Sequence, residues 1–217
     1  MSDDYYLTEQ EQIQQLKNWL KQYGSTILAG ILLALAVTSG WHYWQNHRNQ
    51  MLLRASHIYD VMLTSRAQNN IEDATAQAKQ LVYEYPKTPY AQMAAFLLAQ
   101  DLVSKRDFTE AAEKLQWVID HSNNNAIQQI ARIRKARALI ADQKPDAALE
   151  FLQKTSDALF IGLIDEVRGD AYLAKNNQKT AREAYGRALE ELPDSESERP
   201  ILQMKYDDLA PVENTPT

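Results

Sequence analysis

Twenty consecutive residues without a carboxylate, lysine or arginine, from Ser25 to Trp44, constrain this chain more than any other feature. At about 1.5 Å of helical rise per residue, such a run is just long enough to cross a bilayer. Its histidine, His42, lies near one end, within reach of water. Trp19 and Tyr23 precede the apolar core, and Trp41, Tyr43 and Trp44 close it, as suits rings with an apolar body and a polar edge. Gly30 with Ala34, and Ala36 with Gly40, form pairs of small residues that permit close contact with another membrane helix. A cleaved signal peptide is the rival reading, and Ala34-Leu35-Ala36 mimics a cleavage site. The segment before the run opens acidic, with Asp3, Asp4, Glu9 and Glu11, and apolar residues continue past Ala36. An uncleaved transmembrane anchor over residues 25–44 is therefore expected. The missing polar face argues against a buried helix of a soluble protein.

Residues 45–217 are long enough for one domain with a sizeable core. They hold 21 Lys and Arg against 25 Asp and Glu, a mildly acidic balance that gives no general attraction to phosphate backbones. No nucleic acid is expected as a partner. The chain has no cysteine, which excludes disulfides, thiolate nucleophiles and thiolate metal sites. Orientation is close to balanced by charge: Lys17 and Lys21 flank one end of the run, Arg48 and Arg54 the other. The closer pair and the short N-terminal tail favour tail inside, domain outside.

Residues 9–22 place Ile13, Leu16, Trp19 and Leu20 at helical spacing, an amphipathic lead into the anchor. Beyond Trp44, Ala, Leu, Gln and Glu dominate without runs of β-branched residues, so helices are expected throughout. An internal repeat organises them. Gly169, Tyr172, Ala181, Tyr185, Ala188 and Pro193 match the tetratricopeptide scheme, with a small residue and an aromatic on a first helix, then Ala, aromatic, Ala and a terminating Pro on a second. Ala99, Leu102, Phe108, Ala111, Leu115 and Val118 repeat it, as do Ala136, Leu139, Ala148, Leu152 and Thr155. Ala111 and Ala148 are 37 residues apart and Ala148 and Ala181 are 33 apart, bracketing the ~34-residue period of this class. An atypical earlier unit takes residues 50–68 as its first helix and Ala74, Ala78, Leu81 and Pro86 on its second. Loops fall at Asn69-Asn70, Pro86 to Pro89, His121 to Asn125 and Asp142 to Pro145. After an acidic joint over residues 194–198, Ile201, Leu202, Met204, Tyr206 and Leu209 sit on a last helix that would cap the stack, before a disordered tail over 211–217. The expected fold is all-α: a single N-terminal transmembrane helix, then a tetratricopeptide-like helical-repeat solenoid over residues 45–210 with a C-terminal capping helix.

No catalytic or cofactor pattern emerges. His42, His47, His57 and His121 have no metal-site spacing, the glycines are too scattered for a phosphate loop, and acid pairs such as Glu190-Glu191 sit in polar surroundings. The chain reads as a non-enzyme with no cofactor and no metal. A hydrolase would need convergent ionisable groups in one pocket. Arg168-Gly169-Asp170 spells an adhesion tripeptide, but Gly169 is a packing position. The basic cluster Arg132, Arg134, Lys135 and Arg137 is either a solvated helix face or a receptor for acidic partner segments.

In tetratricopeptide stacks the first helices line a concave groove, and counting along them yields a candidate partner stripe. One unit contributes Met93, Phe96, Gln100 and Val103, the next Ile130, Ile133, Arg137 and Ile140, the last Leu163, Glu166, Asp170 and Leu173. Apolar anchors mixed with charges of both signs suit peptide or helix recognition, though some of these residues must be core.

Over nearly its whole length the chain resembles the family of ancillary subunits of the bacterial Sec translocon. The likeness rests on Leu16 to Gly24, Gly40-Trp41-His42-Tyr43-Trp44, Leu98-Ala99-Gln100, Arg134-Lys135-Ala136-Arg137, Val167-Arg168-Gly169-Asp170 and Met204 to Leu209. Lys135 departs from the leucine expected between the two arginines. The resemblance implies a bacterial inner-membrane protein, single-pass, with its N-terminus cytoplasmic and its domain periplasmic. It also implies association with the Sec translocon and with a membrane-anchored periplasmic prolyl isomerase, and passage of emerging client chains to periplasmic chaperones. A membrane-tethered adaptor for another envelope assembly, or an inverted cytoplasmic scaffold, is the alternative.

Overall fold

The structure, a computed structural model, describes residues 9–153, 155, 157–193 and 199–210, and among these every regular element is a helix. The expected acidic joint at 194–198 and tail at 211–217 lie outside the described residues. The chain falls into two compact units, Met1–Leu53 and Arg54–Thr217.

Helix α1 runs without a break over Glu9–Ala67. The amphipathic lead, the apolar run and the first helix of the earliest repeat were expected as successive segments, yet no proline separates them. Glycines inside a helix weaken it by about 1 kcal/mol each without ending it. In the first unit the apolar run is bare on all sides: Leu33 is 70% exposed and Val37 64%. By length and composition α1 can cross a membrane.

The second unit stacks α2 (Ile71–Glu84), α3 (Pro89–Ser104), α4 (Phe108–His121), α5 (Asn125–Ala141), α6 (Pro145–Gln153), α7 (Ile161–Ala174), α8 (Gln178–Glu191) and α9 (Arg199–Asp207). Each packs mainly on its chain neighbour, and α5 also meets α7. The helix pairs are the end of α1 with α2, then α3 with α4, α5 with α6, and α7 with α8. One turn recurs within every pair. Asn69, Arg106, Gln143 and Asn176 have φ of 58–62°, at intervals of 37, 37 and 33 residues. Their N–H groups donate three residues back, and those of Asn70, Asp107, Lys144 and Asn177 donate five back at 2.8–2.9 Å, the Schellman arrangement that satisfies a helix's last carbonyls. Asn70, Asp107 and Asn177 then cap the following helix by accepting from Asp73, Glu110 and Thr180 N–H groups. The earliest, atypical unit shares this geometry.

The expected loops are found at the residue level with small shifts. Pro89 opens α3 and Pro145 opens α6, because a first helical position needs no N–H donor. α6 ends at Gln153, so Thr155, expected on it, lies beyond the helix. The core follows the small-residue scheme: Ala111, Ala136, Ala148, Ala181, Ala184 and Ala188 are wholly buried. At the C-terminus Leu202, Tyr206 and Leu209 pack on Ala181, Tyr185 and Ala188. Ile201 and Met204, expected to share in the cap, are instead 58% and 65% exposed. A nine-residue helix presents only one face to α8, and Leu202 takes it.

Candidate functional site

The stripe divides into an open part and a closed part. On α3, Met93, Gln100 and Val103 are exposed and Phe96 is half-buried. A cavity of about 490 Å³ lies beside them, lined by Phe96, Ala99, Gln100 and Val103 of α3, Phe108 and Leu115 of α4, and Arg134, Arg137, Ala138 and Ala141 of α5. The Arg134 guanidinium sits 4.9 Å from the centroid of the Phe96 ring. Ile130, 37% exposed, stands one turn before Arg134.

Ile133 belongs elsewhere. Only 4% exposed, it packs with Ala136, Ala148, Leu152, Ile164 and Val167, with half-buried Ile140 and Leu163 against the same cluster. At 3.6 residues per turn the groove side of α5 reads 130, 134, 137 and 141, and residue 133 is rotated by about 100° from 134 into the core. Sequence counting by threes and sevens chose the wrong neighbour.

On α7, Leu173 is 39% exposed, whereas Glu166 is buried and Asp170 half-buried. Glu166 accepts from Arg137 Nη2 at 3.1 Å and from Lys205 Nζ at 2.8 Å. Lys205 Nζ also donates to Asp170 Oδ1 at 2.8 Å, and the same oxygen accepts from the Tyr185 hydroxyl at 2.8 Å. This chain of polar contacts ties α5, α7, α8 and α9 together. Burial pulls the Lys205 ammonium down, but the hydrogen bonds and charges of Asp170 and Glu166 outweigh it and hold the group above the ordinary lysine value. Burial, with Asp170 beside it, raises the Tyr185 phenol. Lys205 falls in the Met204–Leu209 stretch of the resemblance, but nothing in the repeat pattern gave it this role. Its partners are 39 and 35 residues away.

The basic cluster also divides. Lys135, in place of the expected leucine, lays its stem inward: Nζ donates to Gln116 Oε1 at 2.5 Å and lies 4.5 Å from the Phe151 ring centroid. Burial lowers its pKa, with Asp120 opposing. Arg168 and Asp170 of the adhesion-like tripeptide are engaged internally, Arg168 with Asp165 at 2.8 Å. Among the described residues no group of His, Asp and Glu is placed to hold a metal ion.

On α1, a Cβ built on Gly30 or Gly40 meets nothing within 4 Å, so the surface formed with Ala34 and Ala36 is open in the chain alone. Trp41 and Trp44 are exposed with ring centroids 5.4 Å apart, and Arg48 lies 5.7 Å from the Trp44 ring.

The sequence is similar to proteins named ancillary SecYEG translocon subunit. That of Haemophilus influenzae is 28% identical over 205 residues, covering 94% of this chain and 99% of the relative. That of Neisseria gonorrhoeae is 29% identical, covering 94% and 98%, and that of Escherichia coli 26% identical, covering 95% and 99%. The model of the tetratricopeptide repeat-like domain matches residues 17–211. With paired helices, a recurring turn and a match over most of its length, this chain belongs to the tetratricopeptide repeat-like domain family.

Proposed function

We propose that this protein is a membrane-anchored interaction scaffold of the SecYEG translocon. The observation that carries the reading is similarity over 94% of the chain, and 99% of a relative, to proteins named for that complex. Residues 1–24 lie in the cytoplasm, 25–44 cross the bacterial inner membrane, and 45–210 form a periplasmic domain. The long, bare apolar helix supports the anchoring. The open α3–α5 face supports a role in holding partners, and tethering it near the translocon raises the effective concentration of emerging chains without tight binding. Client chains pass from there to periplasmic chaperones, with a membrane-anchored periplasmic prolyl isomerase as neighbour.

Two measurements test this. Protease added to intact spheroplasts should digest the C-terminal domain; protection would mean the inverted, cytoplasmic orientation. A photoreactive residue at position 96 should crosslink to translocon components, the isomerase or client chains in native membranes. If position 96 yields only unrelated envelope proteins while the chain is fully inserted, the translocon reading fails.

A further inference from the structure

The α3–α5 pocket differs in charge from the chain around it. The protein has a net charge of −6, yet among the described residues no carboxylate lines this cavity, while Arg134 and Arg137 do. α5 itself carries four cations, Arg132, Arg134, Lys135 and Arg137, and no Asp or Glu. Lys135 is held by Gln116 and Phe151, and Arg137 by Glu166. Arg134 is different: exposed, it lies over Phe96, and among the described residues no carboxylate pairs with it. A guanidinium held over an aromatic ring is pre-ordered and still offers N–H donors in a fork that suits a carboxylate. Beside it the cavity floor is apolar, with Leu115 buried and Phe108 half-buried.

Along α3 the cavity is lined from Phe96 to Val103. From Phe96 to Val103 the helix rises about 10 Å, which an extended chain spans with about three residues. Resting on the reading of this face as a partner-binding groove, we infer that it receives an extended partner segment of that length. A bulky apolar side chain seats against Phe96, Phe108 and Leu115, and an adjacent aspartate or glutamate is bound by Arg134.

The test uses the full chain in nanodiscs of uncharged phosphatidylcholine and an array of acetylated pentapeptides attached through their C-termini. Each peptide has Phe or Leu at its centre and Glu, Gln or Lys beside it. Glu peptides should retain about five-fold more protein than Gln peptides, and Lys peptides least. Arg134→Glu, an exposed change, should reverse the order. Gln100→Trp or Ala141→Trp, both on exposed lining positions, should abolish capture. No charge preference, or one that Arg134→Glu leaves unchanged, overturns the inference. If position 96 still crosslinks to partners in that event, the groove reading stands and only the acidic specificity falls. A dimer in sedimentation that the same tryptophans dissociate would assign the face to a second copy and also overturn the inference.

Discussion

The ring of Tyr185 lies so close to the backbone of Gly169 that a Cβ placed on the glycine would stand 2.3 Å from Cε1 and 2.4 Å from Cδ1. Tyr185 is fully buried, and its hydroxyl is held by Asp170. The ring therefore has no room to swing aside. α7 and α8 approach closely because one presents a hydrogen where the other presents a ring.

Gly169→Leu should destabilise the domain by about 1–3 kcal/mol, the range for overpacking a tight core. The denaturant midpoint of the purified protein checks it. An unchanged midpoint would mean that α7 and α8 do not pack in this register.

The ammonium of Lys205 predicts an alkaline limit. Its folded pKa is raised, so the native state keeps its proton longer than the unfolded chain. The stability it adds is fully present below the ordinary value of 10.5 and is lost as pH rises through the folded value. The raised Tyr185 phenol acts in the same direction above pH 10. Lys205→Met should cost about 1–3 kcal/mol at neutral pH, since Glu166 and Asp170 each lose a charged partner. Between pH 10 and 12 the variant should lose less further stability than the parent. Parallel curves from thermal melts across that range would remove Lys205 from this role.

Ile133→Glu separates core from groove. At 4% exposure the new carboxylate would be buried among Ala136, Leu152 and Val167 with no cation supplied for it, and unfolding or a loss of several kcal/mol is expected. Phe96→Glu, half-buried under the Arg134 guanidinium, should leave far-UV helicity intact. Equal melting temperatures for the two variants would contradict the division of the stripe.

Arg106 and Gln143 hold the left-handed position that Asn69 and Asn176 hold in the other two pairs. The left-handed region costs a side chain with a Cβ about 1–2 kcal/mol, and glycine very little. Gln143→Gly should therefore raise stability by up to about 1 kcal/mol, offset in part by the freer unfolded chain. A lowered melting temperature would count against a strained turn.

Much of this architecture was legible in residue order because it is local and periodic. The uncharged run from Ser25 to Trp44 already described a helix with no polar face, and the alanines at 111, 148 and 181 recorded where helices must touch. Both signals depend on spacing along one helix or between successive ones. What tertiary structure alone decided was which residues around each helix face outward. Ile133 and Arg134 are adjacent in sequence, yet one completes the core against α6 and α7 while the other lies over Phe96 at the pocket. Lys205 became the tie between Glu166 and Asp170 only when α9 docked on α8. Periodicity determines a helix's apolar side to within a residue, about 100° of rotation. The packing of two neighbouring helices determines the rest.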